Sequence, residues 1–264
     1  MLLTSIKCSN CGAYHDATLE ECPQCHKNNE LRTLKDFPKR VFFLHPIAQI
    51  AIFIIGFAYL GKLICGSILV AFISSALWVE ILTYLFMIVG ILVVLFFTRR
   101  KLFIEDLKRY EYYVVGVVFG AVMVFIGILL TQITSLFYQG DPNGNQADAE
   151  NILTLYPIPA FFLFAFLGPI CEELTYRVGF YSLLRRYNKY LALVLTTIVF
   201  AIIHFRFTSD NIVSELWSLP SYLVSGFILT YAYEKGGFAS SLTAHAIYNI
   251  VSFVIILVQY GQQA

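Results

Sequence analysis

The sequence predicts an all-α polytopic membrane protein, with about seven transmembrane helices behind a small cysteine-rich module at the N-terminus. Three observations carry this. The 264-residue chain is 58% hydrophobic and only 13% charged, about half the charge share of an average soluble domain, and its mean hydropathy is +0.72. Its apolar residues fall into long runs separated by polar breaks. Four of its six cysteines lie within the first 25 residues. A net charge of +1 gives no reason to expect nucleic acid as a partner. The apolar runs are too long and too many for a signal peptide, and no cleavable leader precedes them.

The cysteines come first. Cys8, Cys11, Cys22 and Cys25 form two C-x-x-C knuckles, with Gly12 after one and Pro23 inside the other. Four thiolates at this spacing make a tetrahedral cage, as in zinc ribbons, and leave no open position for chemistry at the metal. Zinc is therefore expected as a structural ion over residues 1–27. The competing reading, a pair of disulfides, fails in a reducing compartment. His15 and His26 read as bystanders. Cys65 and Cys171 stand alone in apolar runs and read as small core residues.

Residues 28–45 are a basic linker, with Arg32, Lys35, Lys39 and Arg40 following Lys27. The runs after it lie at about 46–73, 79–98, 112–137, 156–182, 190–207, 216–234 and 239–260. Each is long enough to cross a bilayer as a helix, which takes about 20 residues. Helix is the expected form, since lipid offers no partner to a bare backbone. Lys62 sits within the first run, which is therefore expected to tilt, kink or split. The division reads as N-terminal transmembrane helices over 46–137 and a second transmembrane helical core over 138–264.

Loop charge orients the spans. The linker, the "TRRKLFIEDLKRYE" connection, the 183–189 connection with Arg185, Arg186 and Lys189, and the turn at Lys235 are basic. The alternate loops "SSALWVE" and "YQGDPNGNQADAEN" carry no Lys or Arg, and Arg206 alone breaks the alternation. The N-terminus and ribbon are expected in the cytoplasm and the C-terminus outside, in a bacterial plasma membrane.

Ionisable groups inside a span are costly and mark function when they gather. Here they concentrate in three runs: Glu172, Glu173 and Arg177; Phe200 to His204, "FAIIH"; and His245 to Asn249, "HAIYN". Glu173 and Arg177 are four apart with the acid first, the favoured order for a helical ion pair. Glu172 points about 100° away and is left to meet other helices. Pro169, just before, removes a helix hydrogen bond and favours a kink. His245 and Asn249 share a face, so the amide could orient the imidazole or donate to a developing oxyanion. From the ends of their runs, His245, Glu172 and His204 lie at depths of about 10, 15 and 20 Å. They meet in the inner half of the bilayer if tilts absorb a mismatch of about 10 Å. The plainer alternatives are a structural Glu173–Arg177 bridge, histidines in interhelical hydrogen bonds, Phe200 as packing, and Tyr176 and Tyr248 as lining aromatics.

At these residues the chain resembles the CPBP intramembrane protease family, also called the CAAX protease and bacteriocin-processing or Abi family. The family pattern is E-E-x-x-x-R, then F-x-x-x-H, then H-x-x-x-N. The chain has "EELTYR" (Glu172, Glu173, Arg177), "FAIIH" (Phe200, His204) and "HAIYN" (His245, Asn249) in that order, over about residues 155–258. The resemblance implies an endopeptidase that acts on membrane-associated proteins or peptides and opens toward the cytoplasm. By it, Glu172 and His204 activate a water, His245 and Asn249 steady the tetrahedral oxyanion, and Glu173 and Arg177 shape the site. Two versions stay open: a divalent metal held by Glu172, His204 and His245, or a water activated without metal. The H-E-x-x-H arrangement is absent. The rival readings are a non-catalytic immunity or scaffold protein that binds a peptide partner, and a small transporter with a proton relay, against which no inverted repeat appears.

Overall fold

The computed structural model describes residues 5–8, 10–16, 19, 21–27, 44–57 and 62–261. Most of the basic linker, residues 28–43, lies outside the described residues.

At the N-terminus, β1 (Ser5–Lys7) pairs antiparallel with β2 (Tyr14–Asp16), in the register Ser5↔Asp16, Ile6↔His15, Lys7↔Tyr14. The two cysteine knuckles are copies of one turn. In each, the residue after the second cysteine has positive φ (Gly12 at 73°, His26 at 54°). Its N–H donates to the carbonyl of the first cysteine, at 2.9 Å from Gly12 to Cys8 and 2.8 Å from His26 to Cys22. Glycine takes this conformation without strain; His26 must be held in it, so it is part of the knuckle rather than a bystander.

The helices follow in order. α1 (Pro46–Gly56) opens with proline at its first position, where no N–H is needed. The first apolar run, 46–73, is not one continuous helix: after Gly56 the chain resumes as a π turn, Lys62–Gly66, and the short α2 (Ser67–Val70), with residues 58–61 outside the described set. The expected break at Lys62 is thus found, and the run does not form a single span. α3 (Ala76–Leu107) and α4 (Tyr110–Phe137) form a hairpin whose tight turn falls in the basic segment. α5 (Gly144–Leu155) occupies the acidic segment. α6 (Pro157–Leu184) and α7 (Lys189–Ile203) precede α8 (Ile212–Gly261), which is broken at Gly236 and Gly237.

That break makes a helical hairpin. Gly237 has φ 66°, open to glycine and closed to most other residues. Along α4 the contacts run in opposite directions on the two arms. Phe119 meets Tyr231, and Met123 packs with Ile228, so the first arm descends as α4 ascends. A Cβ on Gly116 would lie 2.6 Å from the Ser240 carbonyl, and one on Gly127 would lie 2.8 Å from the Tyr248 ring, so the second arm ascends with α4. Small residues let membrane helices approach this closely. The sixth and seventh apolar runs are therefore the two arms of α8. Asp106, beyond the apolar part of α3, accepts from the N–H of Ala239 at 3.0 Å, capping the second arm from another helix.

Among the described residues, four helical stretches are long and apolar enough to cross a membrane by length and composition: 76–98, 110–137, 157–184 and 212–259. α1 and α7 are apolar but shorter. The architecture is an all-α membrane fold; seven separate spans are not resolved in it, because the first run is interrupted and the helix in the fifth ends at Ile203. Two polar clusters mark the ends of the bundle. Glu234 accepts from Tyr181 at 2.6 Å and Arg185 at 2.9 Å, with Lys189 at 3.4 Å, joining the basic connections. Nineteen residues earlier on the same arm, about 28 Å away along the helix, Glu215 accepts from the backbone of Gly144 and Arg206. This separation matches a hydrocarbon core of about 30 Å. Arg206, the exception to the charge alternation, pairs with Asp148 of α5.

Candidate active site

α6 is the central helix, and its middle is not regular α. Residues Leu163–Leu167 and Glu173–Tyr181 form π turns on either side of Pro169. Gly168 N–H bonds to Leu163 O, the i→i+5 register. The next donor in that register would be Pro169, which has none, so the carbonyl of Phe164 is left over. Asn249 Nδ2 donates to it at 2.8 Å. One motif residue thus repairs a backbone defect next to the others.

The second π segment buries Glu173 to Gly179 without interruption. Glu173 and Arg177 are 0% exposed and 3.0 Å apart. The same Oε1 accepts from His245 Nδ1 at 2.8 Å. Arg177 also donates to the Gly226 carbonyl at 3.4 Å and lies 4.6 Å over the Phe200 ring. An unpaired charge here would be prohibitive; one carboxylate shared between a guanidinium and an imidazole meets the need. Glu173 therefore joins α6 to the second arm of α8 and is sealed from solvent.

Glu172 is different. Its side chain is 21% exposed, against 15% for His204 and 8% for His245. Its Oε2 lies 3.9 Å from both His204 Nε2 and His245 Nε2. His204 caps the end of α7, and its Nδ1 is 2.7 Å from the Phe200 carbonyl. A carbonyl only accepts, so Nδ1 carries the proton and Nε2 presents its lone pair to Glu172 when the ring is neutral. In the neutral ring of His245 the same logic assigns the proton to Nδ1, facing Glu173.

Three helices thus bring Glu172, His204 and His245 together, as the spacing required, and Glu173, Arg177 and Asn249 support them. The level differs from expectation. Tyr222, whose ring stacks on His204 at 4.7 Å, is about 18 Å along its arm from Glu234 and about 10 Å from Glu215. His204 therefore reaches past the middle, away from the basic loops. Phe200 touches everything: its ring meets Tyr176 edge-on at 5.8 Å, His204 at 4.6 Å and His245 at 6.2 Å. Tyr248 lies over Gly127 and packs against the apolar cluster that holds Tyr176 and Phe200. The sequence reading missed Tyr222, Asn143 and Asn145. Nothing in their spacing marks them, since they lie in a polar segment and an apolar run apart from the motifs.

Two metal sites had been considered. The four ribbon cysteines are free of disulfides, and their sulfur atoms lie within 4.8 Å of one another. Cys8 and Cys25 are 3.6 Å apart, as are Cys11 and Cys22, near the roughly 3.8 Å edge of a tetrahedron with metal–sulfur bonds of about 2.3 Å. The Asn10 side chain, then the Lys27 backbone, hold the Cys25 thiol down at about 6, so it is a ready ligand at neutral pH. This cage suits a metal ion. Among the described residues it is the one such group. Ligand atoms around tetrahedral zinc lie about 3.3 Å apart at bond lengths of 2.0–2.1 Å. The 3.9 Å from Glu172 to each imidazole lies between that spacing and the roughly 4.5 Å spanned by a water making two hydrogen bonds of about 2.8 Å.

Comparison with known proteins decides the relationship. Residues 154–251 match the family model described as type II CAAX prenyl endopeptidase Rce1-like. This segment is Rce1-like. It contains all seven motif residues, so the resemblance read from the motifs holds for this part of the chain. The chain is also similar to UPF0177 protein YvdC of Lactococcus lactis, 25% identical over 181 residues, 67% of each chain. UPF0177 protein YaiF of the same organism is 32% identical over 112 residues, 42% of this chain and 47% of its own. An uncharacterized protein of Mycoplasma capricolum is 25% identical over 105 residues, 39% of this chain and 29% of its own. The chain thus spans two thirds of the first of these relatives and less than half of the other two. No solved structure matches it.

Proposed function

We propose that the chain is an intramembrane endopeptidase that hydrolyses peptide bonds of membrane-associated proteins or peptides, with a water activated by Glu172 and His204. The observation that carries this is the position of Glu172 Oε2, 3.9 Å from two imidazole nitrogens on two other helices. In this reading one water bridges them, giving one hydrogen to Glu172 and the other to His204 Nε2.

In the reaction, the water oxygen attacks the scissile carbonyl carbon and its proton passes to Glu172. The carbonyl π electrons move to oxygen, giving a tetrahedral oxyanion. His245 in its doubly protonated form donates Nε2–H to that oxyanion while Glu173 holds Nδ1–H. The second Asn249 amide hydrogen is the further donor, the first being given to Phe164. Glu172 then returns its proton to the leaving amine as the C–N bond breaks. Glu173 and Arg177 hold His245 and take no part in proton transfer. A divalent metal held by Glu172, His204 and His245 is the alternative means of activating the same water. In this reading the ribbon holds a structural zinc, and the basic loops favour the cytoplasmic side of the membrane for it.

The test is Glu172→Gln assayed on a reporter peptide library in detergent. Loss of an activating base lowers turnover about 10²–10⁴-fold. Equal cleavage by the two proteins would overturn the assignment.

A further inference from the structure

The His204 imidazole packs against two rings: Phe200, 4.6 Å away at 42°, and Tyr222, 4.7 Å away and nearly parallel at 21°. His204 is also where α7 ends: its φ of −91° and ψ of −6° form the C-cap, and a turn follows. A side chain at a helix end has more freedom than one inside a helix, yet this ring must aim Nε2 at Glu172. A single hydrogen bond from Nδ1 to Phe200 O leaves rotation about that bond open. The stacked Tyr222 ring restricts it.

Tyr222 is itself fixed from elsewhere. Its hydroxyl accepts from Asn145 Nδ2 at 3.2 Å and donates to Asn143 Oδ1 at 3.3 Å. Asn143 is buried and also caps α5, accepting from Gln146 N–H at 3.0 Å. Glu215 then ties the backbone on both sides of this arrangement, accepting from Gly144 N–H at 2.8 Å and from Arg206 N–H, two residues after His204, at 3.1 Å.

We infer that Tyr222, anchored by Asn143 and Asn145 at the start of α5, is a positioning residue that holds the His204 ring in its working plane. This rests on the proposed protease reading for its consequence in catalysis, but the positioning itself does not. The acidic segment is thereby part of the site's support, although it lies outside the three motifs.

The experiment compares Tyr222→Leu, Tyr222→Phe and Asn145→Ala with the wild type and with Glu172→Gln, each checked for an unaltered unfolding midpoint. On a cleavable reporter peptide, Tyr222→Leu is expected to lower kcat 10- to 100-fold with KM within twofold. Tyr222→Phe, which keeps the ring, should restore kcat to within about fivefold of wild type, and Asn145→Ala should resemble it. Unchanged kcat in Tyr222→Leu would overturn the inference, as would a Phe variant as impaired as Leu. A readout independent of activity uses histidine labelled with ¹³C at Cε1, with the His204 resonance assigned by its loss in His204→Asn. In Tyr222→Leu that resonance is expected to shift and broaden, and in Tyr222→Phe to stay in place. A His204 resonance identical in wild type and Tyr222→Leu would sink the inference whatever the cleavage assay gives. If the wild type and Glu172→Gln cleave equally while the resonance moves, the protease reading falls and the positioning stands.

Discussion

Asn249 donates to the carbonyl of Phe164, the acceptor that Pro169 cannot serve. The pair lies 85 residues apart in sequence and joins the second arm of α8 to the irregular middle of α6. Removing the amide leaves a buried carbonyl without a partner, at a cost of about 1–3 kcal/mol. Asn249→Ala is therefore expected to lower the unfolding midpoint in detergent. Pro169→Ala returns a backbone N–H to the same place, so Asn249→Ala should cost less in its presence. A double-mutant cycle with no coupling would show that the defect is repaired in some other way.

The Glu173–Arg177 pair is fully buried. Arg177→Met strands the carboxylate with His245 alone and is expected to cost about 3–5 kcal/mol. Replacing both partners, Glu173→Gln with Arg177→Met, should recover a good part of that stability, because no lone charge stays buried. Thermal unfolding of the three variants decides it. A double variant as unstable as Arg177→Met would mean that the charge is not what makes the single change costly.

Metal content separates the two sites. Elemental analysis of reduced, unchelated protein is expected to give one zinc per chain, falling to none in Cys8→Ser/Cys11→Ser and staying at one in His204→Ala. A ratio near two that drops to one in His204→Ala would place a metal at Glu172 and overturn the metal-independent step.

Asp106 gives a pH dependence. Burial, opposed by the Ala239 N–H and Arg109, pushes its carboxyl up from the usual carboxylate range to about 7. A raised pKa means that the folded state binds the proton more tightly than the unfolded chain. Its contribution is thus fully present below pH about 4 and lost as pH rises through 7. Stability measured from pH 5 to 8 should fall by an amount on the order of a few kcal/mol, and Asp106→Asn should flatten that slope while keeping an oxygen for Ala239. A slope that persists unchanged in the Asn variant would assign it to another group.

The sequence made much of this legible, for physical reasons. Glu172, Glu173, Arg177, His204, His245 and Asn249 stand out because charges and amides are rare in lipid-length apolar runs, so their positions carry information that an exposed surface would dilute. The knuckles of Cys8, Cys11, Cys22 and Cys25 are equally plain. The π turns around Pro169 were less so: proline announced a break but not its form, and the role of Asn249 depends on the form. The α5 helix was hidden because a polar, acidic stretch looks like any loop, and Tyr222 because an aromatic in a membrane run looks like packing. The twin glycines at 236 and 237 mark a turn, but which helix each arm would face depends on side-chain contacts with α4 that no local pattern records.

The shared carboxylate of Glu173 has a mechanical consequence. α6 and the second arm of α8 cannot slide past each other without breaking the buried Glu173–His245 hydrogen bond, so that seam is riveted. His204 has no such rivet: its short bond is to a neutral carbonyl, flat rings pack on it, and Glu172 stands 3.9 Å away. Any breathing that lets a peptide in or out should therefore fall on residues 204–211, whose amides would exchange with deuterium sooner than those of 173–177. Equal exchange in the two segments would show that the molecule has no such hinge.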